Sequence, residues 1–306
     1  MRIGVDLGGT KTEALAMDDQ GFELDRIRVS TIPGDYEATL RTIASLVLEL
    51  EARTGKHASV GVGIPGTVAF PSGLVKNANS LWLNDRPLQR DLGLQLGREV
   101  RCANDANCFA ISEATDGAAK DFAVVFGVIL GTGCGGGVAV RGQLLTGPNG
   151  IAGEWGHTPL PWATSEETPG QACYCGRNGC METWVSGTGF EMDYFRHTEE
   201  RIFGRDIATR AKAGDTKAQA AIRRLQDRLA RGLAVVADVL DPDVFVLGGG
   251  LSQIEQLYDG TVEQLLSSYV FGGNGRTPVL KNAFGDSSGV RGAAWLWPAG
   301  SRPDTR

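Results

Sequence analysis

A short segment in the middle of the sequence contains one histidine and three cysteines, His157, Cys173, Cys175 and Cys180. One imidazole nitrogen and three thiolates form the ligand set of a closed tetrahedral zinc site, which leaves no position open for a reactive water. The Cys-x-Cys spacing is tighter than in a standard zinc finger, so unrelated buried or reactive thiols are the alternative. Because half of the six cysteines lie here, the sequence predicts a structural zinc site.

Two carboxylates, Glu154 and Glu182, bracket these metal ligands in the sequence. A bound metal would hold both carboxylates on one rigid loop. We therefore expect the metal-binding segment to form one wall of a substrate pocket.

Two glycine-rich turns, Gly8-Gly9-Thr10-Lys11 and Gly131-Thr132-Gly133, could each hold part of a polyphosphate. Backbone N–H groups of such turns can point at an anion, and a threonine hydroxyl adds a donor. Asp6, at the end of the preceding strand, could hold Mg²⁺ through water, which magnesium prefers to keep. Ordinary hairpin chemistry is the alternative for a single turn, but the presence of two equivalent turns favours a phosphate-binding role.

Asp105 is the candidate for a catalytic base. It lies at a predicted strand-to-helix junction, a position that faces a ligand crevice in α/β folds. A hydroxyl that attacks phosphorus needs an acceptor for its proton, and an aspartate provides one in phosphoryl transfer. Alternatively, Asn104 or Asp105 only caps the helix, and the spacing does not separate these two roles.

Two other glycine patterns, at residues 61–66 and 131–136, match G-x-G-x-x-G. A dinucleotide fingerprint leads directly into a helix. The first window instead contains Pro65, and the second runs into an alternating strand. The histidines do not begin an H-R-D motif and D-F-G is absent, which argues against a protein kinase.

The elements that must position these residues repeat along the chain. Strands are predicted over residues 3–7 and 13–17 around the first glycine turn, and over 123–130 and 137–140 around the second. This duplication predicts an α/β fold with two lobes, a β-sheet hairpin in each and ligands in the cleft between them. The expected boundary lies near residues 117–121.

Helices are predicted from apolar positions spaced three and four residues apart. They include residues 36–50, 219–240 and 252–269, and a last helix that begins after Ser288. That helix carries Trp295 and Trp297, which are expected in the core or in an exposed interface.

The composition is that of an ordinary soluble globular protein, with 42% hydrophobic and 22% charged residues among 306. A net charge of −6 and a pI near 5.2 argue against nucleic acid as the main partner. Neither a signal peptide nor a long apolar segment is predicted, so no membrane partner is expected. The scattered remaining cysteines suit reduced thiols and predict a cytoplasmic location.

Taken together, these segments resemble the ROK family of sugar kinases and repressors, within the actin–hexokinase–Hsp70 superfamily. Three longer segments, at residues 75–84, 156–162 and 285–298, are similar to the fructokinase/mannokinase branch of bacterial members. The motifs that carry the resemblance are DLGGTKT at 6–12, GIPG at 63–66, NDAN at 104–107, GTGCGGG at 131–137, GEWGH at 153–157, CYCGRNGCMET at 173–183 and LGGG at 247–250.

The resemblance implies a role for each matching residue. Asp105 would deprotonate the 6-hydroxyl of a sugar. The other sugar hydroxyls would be bound by Gly66, Asn79, Asn104, Glu154, His157 and Glu182. The ATP phosphates would be held by Gly8, Gly9, Thr10, Lys11, Gly131, Thr132 and Gly133, with the adenosine beside Gly249 and Gly250. His157 would use one ring nitrogen for zinc and the other for sugar, while an ordinary solvated lysine is the alternative for Lys11.

The resemblance also implies a two-lobed actin-like ATPase (ribonuclease H-like) fold, with an N-terminal lobe over 1–117 and a C-terminal lobe over 118–306. The last helix, at about 289–297, would pack back on the N-terminal lobe. The implied reaction is ATP-dependent phosphorylation of a hexose at its 6-hydroxyl, D-fructose first and mannose second, with Mg²⁺ and a structural zinc.

Several alternatives stay open within this resemblance. Glucokinase or N-acetylmannosamine kinase activity would use the same residues. A sugar-sensing repressor would need a helix-turn-helix ahead of the first glycine turn, for which the sequence leaves no room. A non-catalytic sugar-binding protein would not need Asp6, Asp105 and both glycine turns. A homodimer is one expected assembly.

Overall fold

The computed structural model describes residues 1–273 and 277–298. Two compact units divide the described chain. The first contains Met1–Lys120, Gly142–Ala152 and 286–298, and the second contains Asp121–Arg141 and Gly153–Gly285. Residues 274–276 and 299–306, which the sequence analysis assigns to the C-terminal lobe, lie outside the described residues.

The first unit is built on a five-stranded sheet. Its elements are β1 (Arg2–Leu7), β2 (Lys11–Met17), β3 (Glu23–Ser30), α1 (Tyr36–Thr54), β4 (Ser59–Ile64), β5 (Thr67–Ala69), β6 (Leu74–Lys76), α2 (Leu88–Leu96), β7 (Val100–Asn104) and α3 (Asp105–Thr115). The strands of the sheet follow the order β3-β2-β1-β4-β7. Strand β1 pairs antiparallel with β2 and parallel with β4, and β4 pairs parallel with β7. A short hairpin of β5 and β6 follows β4.

The remainder of the described chain contains the second sheet and most of the helices. These elements are β8 (Val124–Leu130), β9 (Cys134–Val140), β10 (Gln143–Leu144), α4 (Glu182–Val185), α5 (Gly187–Thr198), α6 (Gly204–Lys212), α7 (Thr216–Leu240), β11 (Val244–Gly248), α8 (Thr261–Tyr269), β12 (Val279–Lys281) and α9 (Ser288–Trp295). In the second unit the strands run in the order β9-β8-β11-β12. Strand β8 pairs antiparallel with β9 and parallel with β11, as β1 does with β2 and β4.

Local sequence explains where the main helices begin and end. Asp35 caps α1 by accepting the backbone N–H of Ala38, and Gly55 ends it with a φ of 67°. Asp215 caps α7 in the same way. The apolar face of α7 lies in the core of the second unit, with Leu225 and Leu229 among its buried residues. A separate core fills the first unit.

Helix α9 lies against the first sheet, and glycines allow a very close approach. A Cβ atom at Gly4 would lie 2.0 Å from the carbonyl oxygen of Val290, and one at Gly61 would lie 1.8 Å from that of Ala293. Trp295 and Trp297 are buried, and Nε1 of Trp297 donates to the carbonyl of Val60 at 2.7 Å. Both tryptophans therefore belong to the interior of the first unit.

Two predicted elements differ from the structure. The helix expected over 252–269 is divided into two 3-10 turns, Gly250–Gln253 and Glu255–Tyr258, followed by α8. Gly260 separates the second 3-10 turn from α8, because its φ of 89° interrupts a right-handed helix. Strand β9 begins at Cys134 rather than at residue 137. Within the described residues, no helix is both long enough and apolar enough to cross a bilayer.

Candidate functional site

The four predicted metal ligands come together in the second unit. The donor atoms of His157, Cys173, Cys175 and Cys180 all lie within 4.8 Å of one another. Nδ1 of His157 is 3.5 Å from Sγ of Cys173, and the Sγ atoms of Cys175 and Cys180 are 3.6 Å apart. Ordinary zinc bond lengths in a tetrahedron give about 3.6 Å for nitrogen to sulfur and about 3.8 Å for sulfur to sulfur. The residues therefore fit a closed zinc site with Nδ1 as the nitrogen ligand.

A tight backbone turn brings the cysteines together. The N–H of Gly176 donates to the carbonyl of Cys173 at 3.0 Å, and the N–H of Cys173 donates to that of Arg177 at 2.8 Å. Gly176 and Gly179 have φ values of 86° and 71°, which side-chain-bearing residues rarely adopt. The two glycines let the chain reverse twice between the thiols.

Glu182 connects the cysteine loop with the second glycine turn. Its Oε2 accepts the backbone N–H of Cys134 at 3.0 Å, while its Oε1 lies 3.9 Å from Sγ of Cys173. A Cβ atom at Gly133 would lie 2.6 Å from Oε2 of Glu182, so a larger residue there would displace the carboxylate. Glu182 therefore lies beside the cysteine loop in the second unit.

The other ring nitrogen of His157 lies beside Tyr174, a residue that was not among the predicted site residues. Nε2 lies 2.9 Å from the hydroxyl of Tyr174, and the two rings meet edge to face at 5.0 Å. Tyr174 is 76% exposed. Partial loss of surrounding water, followed by the charges of Glu182 and Glu154, raises the pKa of Tyr174 to about 12.

Three segments meet at the second glycine turn. The N–H of Gly131 donates to the carbonyl of Gly133 at 3.0 Å, which closes the turn. Gly249 has a φ of 77°, and a Cβ there would lie 2.6 Å from the carbonyl of Leu130. This contact brings the predicted adenosine-side glycines beside the turn.

The third segment is the beginning of α5, a helix that was not predicted from the sequence. The N–H of Gly187 donates to the carbonyl of Gly131 at 2.7 Å, and the hydroxyl of Thr188 donates to that of Thr132 at 2.9 Å. Ser186 caps the helix. The S-G-T-G run at 186–189, with its capping serine, is the signal that could have indicated this helix start.

The first glycine turn is also closed by a backbone hydrogen bond. The N–H of Gly8 donates to the carbonyl of Lys11 at 3.0 Å, and the hydroxyl of Thr31 donates to the carbonyl of Gly8 at 2.8 Å. Gly9, Thr10 and Lys11 are exposed. Their backbone and side-chain donors are accessible to an anion.

The remaining candidates of the first unit follow three neighbouring parallel strands. Asp6 is the penultimate residue of β1 and pairs with Gly63, and Asn104 is the last residue of β7 and pairs with Ile64. After β4, the backbone of Gly66 packs on Ala78, because a Cβ there would lie 2.9 Å from its Cα. The N–H of Asn79 donates to the carbonyl of Pro65 at 3.1 Å. The C-terminal ends of β1, β4 and β7, with the segments that follow them, therefore carry Asp6, Gly66, Asn79, Asn104 and Asp105.

Asp105 is the first residue of α3, and Asn104 is its cap. Oδ1 of Asn104 accepts the N–H of Ala106 at 2.9 Å, and Oδ1 of Asp105 accepts the same N–H at 2.8 Å. Although part of Asp105 is exposed, surrounding protein displaces water from its carboxylate and raises its pKa. Because Asn104 already provides the cap, the carboxylate of Asp105 is available for another role.

Asp6 lies close enough to Asp105 for their charges to interact. Burial, then the negative charge of Asp105 and that of Glu13, raises the pKa of Asp6 to about 6. A pair of carboxylates in one place favours binding of a cation, since a cation relieves their repulsion.

The proposed sugar-binding residues divide between the units. Gly66, Asn79 and Asn104 belong to the first, and Glu154, His157 and Glu182 belong to the second.

Comparison with known proteins gives consistent matches over nearly the whole chain. A model of the ROK family matches residues 2–299. An N-acetyl-D-glucosamine kinase from Vibrio cholerae is 40% identical over 300 residues, which cover 97% of this chain and 99% of that protein.

Two solved structures are similar at 30% identity. A ROK hexokinase from Thermus thermophilus has a TM-score of 0.85, with 96% of each chain covered. A ROK family glucokinase from Streptomyces griseus, in complex with glucose and AMPPNP, has a TM-score of 0.78, with 96% of this chain and 98% of that chain covered. These matches confirm the duplicated α/β architecture of the actin-like ATPase fold, and the chain belongs to the ROK family.

Proposed function

We propose that this protein is an ATP-dependent kinase that phosphorylates the 6-hydroxyl of a hexose. The observation that carries the proposal is the position of Asp105 at the start of α3, beside Asp6 and capped by Asn104. An acceptor for the hydroxyl proton and a carboxylate for Mg²⁺ are the groups that phosphoryl transfer requires. The kinases among the similar proteins support the same reaction class.

In the proposed mechanism, Asp105 accepts the proton of the attacking hydroxyl as its oxygen bonds to the γ-phosphorus of ATP, while the bond from that phosphorus to the bridging oxygen breaks and ADP leaves. Asp6 would hold Mg²⁺ through water, and the turns at Gly8–Lys11 and Gly131–Gly133 would donate backbone N–H groups to the phosphates. These donors stabilise charge that spreads over the phosphoryl oxygens in the transition state.

In the first unit, the amides of Asn79 and Asn104 and the backbone of Gly66 are proposed to bind sugar hydroxyls. In the second unit, the proposed sugar-binding groups are the carboxylates of Glu154 and Glu182 and the imidazole of His157. Sugar hydroxyls are both donors and acceptors, so a fixed set of such groups rejects an epimer by leaving buried polar groups unpaired. Zinc, held by His157 and the three cysteines, would fix the loop that carries these groups.

For the identity of the hexose we propose D-fructose, with mannose as a second substrate. The segments at 75–84, 156–162 and 285–298, which resemble the fructokinase/mannokinase branch, support this choice. N-acetylglucosamine is the second candidate, because relatives named for that activity are 40% identical over nearly the full chain. Glucose is a further candidate from the Streptomyces griseus structure.

A substrate panel tests the proposal. ADP release should be measured with ATP, Mg²⁺ and, in turn, fructose, mannose, glucose, N-acetylglucosamine and N-acetylmannosamine. We expect kcat/KM to be highest for fructose, and product analysis to find the phosphate on the 6-oxygen. A preference for N-acetylglucosamine would establish the second candidate, and absence of turnover on every sugar would refute the kinase proposal. Cytoplasmic location and a homodimer remain predictions.

A further inference from the structure

Tyr174 occupies an unusual position for an exposed aromatic residue. It stands between two of the metal ligands, Cys173 and Cys175, on the tight turn of the second unit. Its ring is 76% exposed, yet its hydroxyl is held 2.9 Å from Nε2 of His157. A solvent-facing ring with a fixed polar end is characteristic of surfaces that bind a ligand.

The geometry of His157 determines which group donates in this hydrogen bond. Nδ1 is directed at the cysteine cluster, 3.5 Å from Sγ of Cys173. A ring nitrogen that coordinates metal carries no hydrogen, so the hydrogen of a neutral imidazole is on Nε2. With zinc on Nδ1, Nε2–H would donate to the Tyr174 oxygen, which would leave the hydroxyl hydrogen of Tyr174 for another acceptor.

The acceptor groups around this phenol are those proposed to bind sugar. Glu182 lies beside the same loop, with its Oε1 3.9 Å from Sγ of Cys173. Because the hydroxyl of Tyr174 is 2.9 Å from Nε2 of His157, a sugar hydroxyl bound at this nitrogen would also be within reach of the phenol. Tyr174 thus adds one hydrogen-bond donor and one aromatic ring to the polar groups of Glu154, His157 and Glu182.

We propose that Tyr174 is a specificity-determining residue that donates its hydroxyl hydrogen to one hydroxyl of the bound sugar and packs its ring against the sugar's C–H face. The inference rests on the proposed sugar kinase function and adds a contact residue to it. It assigns Tyr174 a role in ground-state sugar binding, so its loss should affect sugar affinity and leave the chemical step unchanged.

The experiment compares Tyr174→Phe with wild type and with Tyr269→Phe. The hydroxyl of Tyr269 donates to Asp227 at 2.8 Å in the same unit, and Tyr269 is not among the metal ligands or sugar-binding candidates. Tyr269→Phe therefore controls for loss of a tyrosine hydrogen bond as such. Sugar binding is measured by calorimetry, turnover by ADP release, and zinc content by elemental analysis.

For Tyr174→Phe we expect the Kd and KM of the preferred hexose to increase about threefold to tenfold, the effect of one lost hydrogen bond. The kcat, the KM for ATP and a content of one zinc per chain should be unchanged. Tyr269→Phe should leave sugar affinity at the wild-type value.

A series of monodeoxy hexoses identifies the contact. For wild type, each deoxy analogue that lacks a bonded hydroxyl should bind more weakly. For Tyr174→Phe, the penalty should disappear for one analogue and persist for the others, because only one hydroxyl has lost its partner. A purely structural role would weaken all analogues equally.

Several outcomes overturn the inference. They are sugar affinities within twofold of wild type for every hexose, loss of zinc from Tyr174→Phe, and an unchanged pattern across the deoxy series. If wild type phosphorylates a hexose and any of these occurs, only the Tyr174 inference fails. If wild type neither binds nor phosphorylates any hexose, the proposed function fails and this inference fails with it.

Discussion

At the scale of single residues, Asp105 is the side chain whose chemistry can be tested most directly. Asn104 caps α3, so replacing Asp105 by Asn retains the helix start while removing the proton acceptor. We expect Asp105→Asn to lower kcat about 10²- to 10⁴-fold, the usual contribution of a general base. Sugar binding measured by calorimetry should remain within a few-fold of wild type. Asp206→Asn, an exposed change on α6, is the control, and full activity of Asp105→Asn would reduce Asp105 to a structural residue.

The pair of carboxylates in the first unit predicts a pH-dependent effect on stability. The pKa of Asp6 is raised from 3.8 to about 6 in the folded protein, in part by Asp105. A carboxyl whose folded pKa is raised holds its proton more tightly when folded, so its charge opposes folding above that pKa. Wild-type stability should therefore fall as pH rises from about 4 to about 6.

The substitution Asp105→Asn should relieve this repulsion. We expect the variant to be more stable than wild type at pH 7 in the absence of Mg²⁺, with the difference shrinking as pH falls from about 6 to about 4, where the Asp6 carboxyl group takes up its proton. Urea unfolding at both pH values measures it. Equal stability of the two proteins at pH 7 would show that the charges of Asp6 and Asp105 do not interact.

At the scale of elements, the cysteine loop between Cys173 and Cys180 should depend on metal for its shape. Few apolar side chains stabilise this loop, since Tyr174, Cys175, Gly176 and Arg177 are exposed. We expect one zinc per chain in purified protein, and a lower melting temperature with weaker sugar binding after chelation, because metal-binding energy contributes to folding.

Two cysteine variants separate metal binding from the general effect of losing a thiol. Cys175→Ser should lose zinc, whereas Cys102→Ser, outside the cluster and half-buried, should retain it. Elemental analysis and thermal unfolding measure both. Retention of full zinc content by Cys175→Ser would contradict the proposed ligand set.

A buried ion-pair network connects α7 with the segment that follows the metal site's histidine. Glu167 accepts from Arg228 at 2.8 Å and from Arg231 at 2.8 and 2.9 Å, and all three side chains are less than a tenth exposed. Desolvation opposes the charge of Glu167, but the hydrogen bonds from Arg231 and Arg228 outweigh it and lower its pKa to about 2. Glu167→Ala should destabilise folding by about 1–3 kcal/mol, because two buried guanidinium groups each lose one carboxylate partner, while Arg228 keeps Asp193 and Arg231 keeps Asp227.

The neighbouring Glu166 provides the matched control for this change. It is exposed, so Glu166→Ala should alter the free energy of unfolding by about 0.5 kcal/mol or less. Denaturant unfolding of both variants compares them. Equal effects of the two substitutions would show that the network does not stabilise α7.

Sequence patterns predicted the elements that have strong periodicity and failed where tertiary contacts decide. The strands around both glycine turns, the helix over α1 and the long helix α7 follow from alternation, apolar spacing and caps. Helices α5 and α6 were not predicted, because both are short and each begins at a glycine, a residue that weakens a helical sequence pattern. The break before α8 depends on the backbone of Gly260, which a three- and four-residue spacing does not reveal.

Part of the candidate site could be predicted from the sequence, namely the residues whose side-chain types allow few kinds of chemistry. The three cysteines and His157 are such a case, and the structure brings their donor atoms together. The hydrogen bond between Tyr174 and His157, and the contact of Gly187 with Gly131, depend on how distant segments meet. Sequence spacing contains no information on those distances.

At the scale of the whole molecule, the two units share one strand pattern, and this repetition gives each a glycine turn after its first strand. In both sheets an antiparallel hairpin is followed by parallel strands, β1 to β4 in the first and β8 to β11 in the second. The weak similarity between the two turn sequences therefore reflects a repeated architecture. Residues 286–298 belong to the first unit, a placement that the family resemblance implied for the last helix and that strand and helix patterns alone did not predict.

The repetition predicts that a nucleotide affects both glycine turns. Backbone N–H groups that bind phosphate exchange their hydrogens more slowly, because binding restricts local opening. We expect AMPPNP with Mg²⁺ to slow amide exchange at residues 8–11 and at 131–134, measured by mass spectrometry. Exchange in the buried strands β4 and β11 should change little, which provides an internal control. Protection of one turn alone would mean that the other is an ordinary hairpin, and that the phosphate-binding role does not follow from the repeated architecture.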